Sequence, residues 1–469
     1  MTPRPTQANT AAAPLERGLG LLQSIALNVN NMVGIGPFIT IPLFIASMQG
    51  PQAMVGWVVA ALLVLCDGLV GSELGAALPG SGGTYHFLRE IFRPYRWGRL
   101  LPFLFLWQFL LSGTLEMASS YIGGAGYLKY AFPNLQPTFD QWGMPWGWNA
   151  LGAGACLLTV LLLSRRIQVV GWMGVALAAG TVVTVVTVIV AGLANFNPSL
   201  LRPPTGAFQF NLAFLIGLGG AMRIAIYDFF GYYNICHLGD EVREPARTIP
   251  RAILISVLLV GALYLTMNLS IIAVVPWQEA MKSENVAALF MERLFGRHVA
   301  VAFTGLIVWT AMACNFAITL GYSRIPYAAA REGDFLSVFG RVHPREHYPT
   351  VSLWAIGGLT AVFCFLPLQQ VIDAAVTVRI LVQFVGQIVA LHILRTKRPD
   401  VPLPFRMWLY PIPSLLALVG WVFLWVSSGW TLVLAGLGVI GSGCVVFFVW
   451  RAIAERGECT TLLIGKEKP

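Results

Sequence analysis

The feature that most constrains the fold of this chain is a series of long apolar runs separated by short polar segments. A helix needs about 20 apolar residues to cross the hydrocarbon core of a bilayer. The runs are unbroken, whereas the strands of a membrane barrel alternate in polarity. We therefore predict an all-α, polytopic membrane protein with twelve transmembrane helices. The predicted spans are 19–46, 53–78, 100–128, 147–164, 168–194, 211–237, 251–275, 299–325, 350–367, 371–394, 407–427 and 430–450.

Composition excludes several other classes of protein. Of the 469 residues, 57% are hydrophobic and 11% are charged, whereas soluble domains carry about 25% charged residues. A cytosolic enzyme, a disordered protein and a secreted disulfide scaffold are therefore excluded. The seven cysteines show no CxxC spacing, so we interpret them as small core residues. The sequence contains no nucleophile motif, phosphate-binding loop or paired metal-ligand motif, so we expect neither an enzyme nor a cofactor or metal site.

The positive charge of the chain indicates its orientation in the membrane. Cytoplasmic loops of membrane proteins are enriched in Lys and Arg. With the N-terminus inside, the inner segments hold 23 of the 30 basic residues and the outer segments hold five. This distribution predicts a multi-pass protein of the cell membrane with both termini cytoplasmic. The net charge of +9 is then a topology signal, and we expect the lipid bilayer, but no nucleic acid, as a partner.

The same pattern divides the chain into four parts. We predict a disordered cytoplasmic tail over 1–18, a core of ten helices over 19–394, two further helices over 395–450 and a cytoplasmic tail over 451–469. The connections are short except for one. That longer segment, Trp277 to His298, reads as an amphipathic helix on the surface.

Two of the predicted helices contain residues that interrupt helices. Helix 1 carries Gly34, Gly36 and Pro37, and helix 6 carries Gly231 near its middle. Glycine disfavours helix, and proline removes a backbone donor. Each residue alone could merely kink a helix. Two interruptions five helices apart, however, are typical of a transporter with an inverted repeat, helices 1–5 matching helices 6–10. Such half-helix ends can hold a carboxylate and an ammonium group.

Five motifs, in order along nearly the whole chain, resemble the amino acid–polyamine–organocation superfamily. They are a glycine motif in helix 1 and the ends of helices 2, 6 and 8, followed by the loop before helix 11. The motifs occupy 34–38, 72–85, 231–250, 322–333 and 398–406. The resemblance implies a five-plus-five inverted repeat with broken helices 1 and 6. It also implies a permease that moves amino acids across the plasma membrane by alternating access, coupled to protons or acting by exchange.

Within that superfamily the sequence is similar to two branches. The general pattern resembles L-type and bacterial amino acid permeases, whereas segments 36–38, 111–116 and 170–172 resemble the polyamine-uptake branch. The chain also departs from the superfamily pattern. Ile35 stands where a small hydroxyl residue is common, and Thr181 stands near the place of a lysine that some proton-linked members have.

The resemblance assigns the substrate site to helices 1, 3 and 6. The backbone at Gly34–Gly36 would meet a substrate carboxylate, and the helix-6 carbonyls would meet its amine. Asp228 departs from the amino acid branch, and we expect it to act as a counter-ion for the amine or as a proton carrier. Tyr227 resembles an aromatic gate, and Glu116 and Asp228 are candidates for proton coupling. The predicted substrate-binding residues are Met32, Val33, Gly34, Ile35, Gly36, Glu116, Tyr227, Asp228, Phe229, Phe230 and Gly231.

Charged residues at membrane depth are costly and therefore point to function. For Asp228 the alternative is a fixed buried pair with Arg223, and Glu116 has the same two interpretations. We expect a structural role for Arg379. At the cytoplasmic helix ends, three charged residues could form an inner gate network or only surface ion pairs. These are Glu73, Glu241 and Arg331.

Two other functions stay open at this point. A polyamine or cationic amino acid carrier would use Glu116 and Asp228 to hold two ammonium groups. A substrate-sensing receptor of the same fold would bind its ligand without carrying it.

Overall fold

The computed structural model describes residues 15–367 and 377–464, with 453–464 described by their backbone only. Its named elements over those residues are all helical, and three isolated β-bridges are present. Eight helices are long and apolar enough to span a membrane, or nine if the bent pair Leu21–Met32 and Gly36–Met48 counts as one span. The prediction of an all-α polytopic membrane protein is therefore confirmed.

The helices follow the predicted spans closely, but three of them are short. Gly147–Leu163, Thr350–Phe363 and Ile412–Ser427 occupy predicted helices 4, 9 and 11 with only 10–17 residues each. The number of twelve spans therefore stays a prediction. The first ten helices are α1 (Leu21–Met32), α2 (Gly36–Met48), α3 (Met54–Ala77), α4 (Thr84–Phe92), α5 (Leu100–Ala131), α6 (Leu135–Gln141), α7 (Gly147–Leu163), α8 (Ile167–Ala194), α9 (Leu212–Phe229) and α10 (Asn234–His237).

The second half of the chain also contains both long and short helices. A π-helical turn, Ile380–Val385, leads directly into one of them. The helices are α11 (Pro245–Ile272), α12 (Trp277–Ala280), α13 (Val286–Phe295), α14 (Arg297–Tyr322), α15 (Arg324–Arg331), α16 (Thr350–Phe363), α17 (Gly386–Lys397), α18 (Ile412–Ser427) and α19 (Trp430–Ile464).

Helix 1 is broken where the sequence predicts it. α1 ends at Met32, α2 begins at Gly36, and their axes differ by 45°. Pro37 lies at the start of α2, where a missing N–H costs nothing because the first amides of a helix have no partner within it. Gly34 packs against Cys314, whose Sγ would lie 2.7 Å from an added Cβ. The break thus combines a proline helix start with a close approach of α14.

Helix 6 is also broken, but closer to its end than the sequence suggests. α9 runs to Phe229, and only the single turn of α10 follows the break. Gly231 adopts a φ of 108°, which a residue with a side chain rarely adopts. After α10, the carbonyl of Glu241 accepts hydrogen bonds from the amides of Gly18 and Leu19, both at 2.9 Å. These bonds tie the exit of helix 6 to the chain before α1.

Two further expectations about local structure need correction. The predicted single helix from Trp277 to His298 consists of two helices, α12 and α13, separated by a turn. One side of α13 is buried, including Val286 and Phe290, so α13 covers other helices and is not a free surface helix. The last helix, α19, continues to Ile464, beyond the predicted span end at 450.

Helices that are equivalent in the predicted repeat pack against each other. α3 packs along α11, α5 along α14, and α7 along α16. These are predicted helices 2 and 7, 3 and 8, and 4 and 9. The two broken helices meet through the pair α2 and α9. This pairing is what a pseudo-two-fold axis in the membrane plane produces, and it brings both breaks to the centre of the bundle.

We expect the break in helix 6 to require Gly231. An added methyl group would overlap the Asn31 side chain, and the φ of 108° is strained for alanine. Gly231→Ala should therefore destabilise the fold by about 1–3 kcal/mol, visible as a lower melting temperature in detergent. Gly71→Ala is the control, since its Cβ would meet nothing within 4 Å. Equal melting temperatures for the two variants would contradict this account.

Candidate functional site

The unwound backbone of both breaks is held by polar side chains from neighbouring helices. The Tyr264 hydroxyl of α11 donates to the carbonyl of Met32 at 2.6 Å and to that of Asp228 at 3.3 Å. Asn28 of α1 donates to the carbonyl of Tyr232 at 2.8 Å and accepts from the amide of Ile235 at 3.0 Å. Backbone groups at membrane depth need such partners, so these two side chains fix the geometry of both breaks.

The side chain of Asp228, which belongs to α9, contacts the beginning of α2, where helix 1 resumes after its break. Its Oδ2 accepts a hydrogen bond from the Thr40 hydroxyl at 2.5 Å. Its Oδ1 is buried without a hydrogen-bond partner among the described residues and lies so close to Gly36 that a Cβ there would overlap it. Glycine at position 36 therefore lets the carboxylate approach the α2 N-terminus, which carries partial positive charge.

Glu116 is paired, in contrast to Asp228. Its carboxylate forms an ion pair with the Arg379 guanidinium and accepts from the Tyr322 hydroxyl at 2.7 Å. Arg379 is fully buried and also donates to Ser112 Oγ at 3.0 Å and to the Tyr322 hydroxyl at 3.2 Å. Arg379 therefore neutralises Glu116. The expectation of a structural role for Arg379 is consistent with these contacts, and Glu116 is not an unpaired counter-ion.

Tyr227 is closed onto helix 3. Its hydroxyl lies 2.6 Å from Ser119 Oγ of α5, and its side chain is only 9% exposed. Its ring also lies beside Gly36, with Cε1 at 3.7 Å from the place of a Cβ. Phe230 packs near it, with ring centroids 6.3 Å apart. An aromatic ring between two breaks and helix 3 is in the position of a closed lid.

The structure brings most, but not all, of the predicted site residues together. Gly36, Tyr227 and Asp228 lie side by side, and Phe230 stands between Tyr227 and Arg379. Phe229 instead points into an aromatic core with Trp57 and Tyr264, at centroid distances of 5.7 and 5.6 Å. The remaining predicted residues are buried at the breaks: Met32, Val33, Gly34, Ile35 and Gly231.

A cavity of about 800 Å³ opens on one side of the breaks. Its walls include Ile39 and Pro42 of α2 and Gly123 and Lys129 of α5. Ile39 follows Gly36 by less than one turn, so the cavity extends almost to the helix-1 break. Lys129 belongs to a segment predicted to be extracellular, which makes this cavity a vestibule on that side.

Comparison with known proteins identifies the family of the chain. The sequence model of the amino acid permease family matches residues 19–450, almost the whole chain. The chain belongs to the amino acid permease family. The resemblance found in the motifs is thereby confirmed, and the family and the relatives described below are transporters, not enzymes.

Named relatives extend over most of the chain at low identity. It is 29% identical over 461 residues to the Asc-type amino acid transporter 1 of Mus musculus, covering 93% of the chain and 82% of that protein. It is 23% identical to the branched-chain amino acid permease BcaP of Bacillus subtilis, covering 94% and 95%. It is 25% identical to the cationic amino acid transporter 4 of Mus musculus, of which it spans only 63%.

The cytoplasmic charges pair differently from the predicted network. Glu73 binds Arg395 through two hydrogen bonds, at 2.6 and 2.7 Å. Glu241 binds Arg324 in the same way, at 2.8 and 2.7 Å. Both glutamates are fully buried, so these are not surface ion pairs, whereas Arg331 is exposed. The pairs join the end of helix 2 to the last turn of α17, and the exit of helix 6 to the start of α15.

Several site residues are not apparent from the sequence. Thr40, Ser119 and Tyr264 are ordinary polar residues within apolar runs, without a motif. Thr40 follows Gly36 by four residues, which places both on one face of a helix, and that spacing is a signal. Tyr322 lies in the quoted helix-8 motif, but its bond to Glu116 spans 206 positions. Only the folded chain reveals that contact.

We expect the ion pair between Glu116 and Arg379 to stabilise the fold mainly because each buried charge compensates the other. Removing one partner of a buried pair leaves an uncompensated charge and costs about 3–5 kcal/mol. Glu116→Gln and Arg379→Met should each lower the melting temperature in detergent strongly. The double variant should recover much of the loss, because neither charge is then buried alone. Losses that simply add in the double variant would contradict the pairing.

Proposed function

We propose that the chain is a secondary active transporter that carries amino acids across the cell membrane by alternating access. The observation that carries the proposal is the meeting of two helix breaks at Gly36 and Asp228, beneath the closed ring of Tyr227. Half-helix ends in the centre of a bundle bind charged groups of substrates. The Lys and Arg distribution supports an orientation with both termini in the cytoplasm.

The charges around the breaks favour a zwitterion as substrate. Asp228 Oδ1 lacks a hydrogen-bond partner and can accept the substrate ammonium. The first amides of α2 and the adjoining Gly34–Gly36 backbone can bind the substrate carboxylate. An amino acid places its two charged groups on neighbouring atoms, as this arrangement requires. The ammonium group would then lie between two carboxylates and offset their repulsion.

The same charges argue against a polyamine. A polyamine needs at least two carboxylates, and the pairing of Glu116 with Arg379 leaves Asp228 as the acid at the breaks. The named relatives include, by their names, a branched-chain amino acid permease and a cationic amino acid transporter. We favour neutral amino acids, and a cationic amino acid is the second candidate.

Transport requires the lid and the breaks to move. The bond between Tyr227 and Ser119 closes the route from the predicted extracellular vestibule, so it has to break when the site opens to that side. Asp228 is our candidate for a proton carrier, since Glu116 is held by Arg379. Protonation of Asp228 would remove the charge that attracts the substrate ammonium and would link proton movement to substrate release.

Counterflow in liposomes tests the transport function. Purified protein is reconstituted with labelled substrate inside and leucine, alanine, arginine, glutamate, putrescine or spermidine outside. We expect exchange with neutral amino acids and none with the polyamines. An imposed proton gradient should increase uptake if transport is proton-coupled. Exchange with polyamines alone would contradict the assignment, and binding without exchange would favour the receptor.

The role of Asp228 is tested by Asp228→Asn. Loss of a hydrogen bond to a charged group costs about 1.5–3 kcal/mol, so we expect the KM for uptake to rise between about tenfold and 100-fold. Asp67→Asn is the matched control. Asp67 is also buried and accepts from Trp421 Nε1 at 3.0 Å, and we expect its KM to stay near that of the unaltered protein. Unchanged KM in Asp228→Asn would remove Asp228 from the site.

A further inference from the structure

A second cavity, of about 600 Å³, lies on the predicted cytoplasmic side, far from the two breaks in sequence. It is formed by the connection between α4 and α5, by the end of α15 and by α19. No step of the proposed transport cycle uses it. Five arginines and one aspartate line it: Arg89, Arg93, Arg96, Arg99, Arg451 and Asp334.

The charge of this cavity is only partly balanced from within. Arg89 pairs with Glu332 at 2.7 Å and with Asp334 at 3.1 Å. Arg99 approaches the same Asp334 at 3.7 Å but is 69% exposed. Arg93 and Arg96 are exposed at the cavity. Among the described side chains, the acids therefore orient Arg89, while the exposed Arg93 and Arg96 provide a positive surface that would bind an anion.

The backbone adds to this positive potential. Gly98 and Arg99 line the cavity and directly precede α5, which begins at Leu100. α5 has 32 residues, so the positive end of a long helix dipole lies beside the cavity. The amides of Gly98 and Leu100 already donate to the carbonyls of Tyr95 and Trp97, so the helix acts on an anion through its dipole. Arginine side chains and the helix dipole thus act on the same space.

Aromatic side chains place the cavity at the membrane boundary. Trp97 lies beneath the Arg96 and Arg451 guanidinium groups, at 5.3 and 5.6 Å from its ring centroid. Trp450 and Phe447 of α19 complete the wall. Tryptophan is enriched where a membrane meets water. Only 17% of the spanning part of α19 is buried in the protein, so its outer face is free to contact acyl chains beside the cavity.

We propose that this cavity binds the phosphate headgroup of an anionic phospholipid from the cytoplasmic leaflet, with its acyl chains along α19. Basic pockets between membrane helices on the cytoplasmic side recognise such headgroups. A free phosphate ion shares the headgroup chemistry but would make no use of the apolar wall of α19. The proposal does not depend on which substrate the protein carries.

The test measures lipid binding to the purified full-length protein in detergent by native mass spectrometry. Phosphatidylglycerol, cardiolipin and phosphatidylcholine are titrated separately. We expect the two anionic lipids to bind at least about tenfold more tightly than phosphatidylcholine, since each nearby basic residue adds to the attraction. Inorganic phosphate and glycerol 3-phosphate are then added as competitors. Competition by either at equal concentration would identify a site for soluble anions and overturn the lipid assignment.

A variant of the cavity separates a specific site from general charge. Replacing Arg93, Arg96 and Arg99 by Gln should weaken phosphatidylglycerol binding about tenfold or more. These side chains are exposed, so the fold should persist, and an unchanged melting temperature without added lipid verifies it.

The matched control removes the same charge elsewhere on the predicted cytoplasmic side. It replaces Arg165, Arg341 and Arg345 by Gln, all three of which are exposed and outside the cavity. We expect this control to change phosphatidylglycerol binding less than about twofold. Equal weakening in the two triple variants, or no weakening in the cavity variant, would overturn the proposal.

Discussion

Unwound backbone in the middle of a membrane bundle needs hydrogen-bond partners that the helix itself no longer supplies. In this protein the side chains of Asn28 and Tyr264 provide them. Asn28 binds backbone within the helix-6 break and in α10 just after it, and Tyr264 binds the last carbonyl of α1 and a carbonyl of α9. The two breaks are thereby held face to face. The position of every substrate-site residue depends on this arrangement.

Charge at membrane depth is handled in three ways around this centre. Glu116 is neutralised by Arg379, whereas Asp228 accepts from a neutral hydroxyl and keeps one oxygen open. Asp67 accepts from two neutral donors, the Tyr232 hydroxyl and the Trp421 indole. A paired carboxylate is a poor ligand for a second cation, and a carboxylate with an open oxygen is a good one. This difference makes Asp228 the chemical centre of the proposed site.

The two cavities sit on opposite sides of this centre and differ in character. The predicted extracellular vestibule extends almost to the helix-1 break, and its mixed lining includes two lysines, Lys129 and Lys282, and one acid, Glu284. The predicted cytoplasmic cavity is dominated by arginine and aromatic side chains and borders α19. The first cavity is suited to the passage of substrate, and the second is suited to binding an anionic headgroup. A bound lipid there would connect α5 and α15 to the last helix without entering the substrate path.

The sequence alone was sufficient for the membrane class, the helix positions, the break in helix 1 and the family. Those features depend on local composition, since apolar runs, Gly34, Gly36 and Pro37 act within one helix. It also indicated Tyr227 and Asp228, which directly precede the helix-6 motif at 231–250. It could not supply the partners of Glu116, Glu73 and Glu241. An ion pair such as Glu116 with Arg379 joins residues that are remote along the chain, and apolar runs contain no information about which faces meet.

Tertiary structure therefore decided which acid is paired and which is open. It also moved Phe229 from the site to the core, because the turn of α9 directs its ring toward Trp57. The exit of helix 6 is likewise held by residues remote in sequence, through the hydrogen bonds from Gly18 and Leu19 to Glu241. The physical reason is common to these cases. Membrane insertion depends on summed apolar area along one segment, whereas the chemistry of the site depends on contacts between segments.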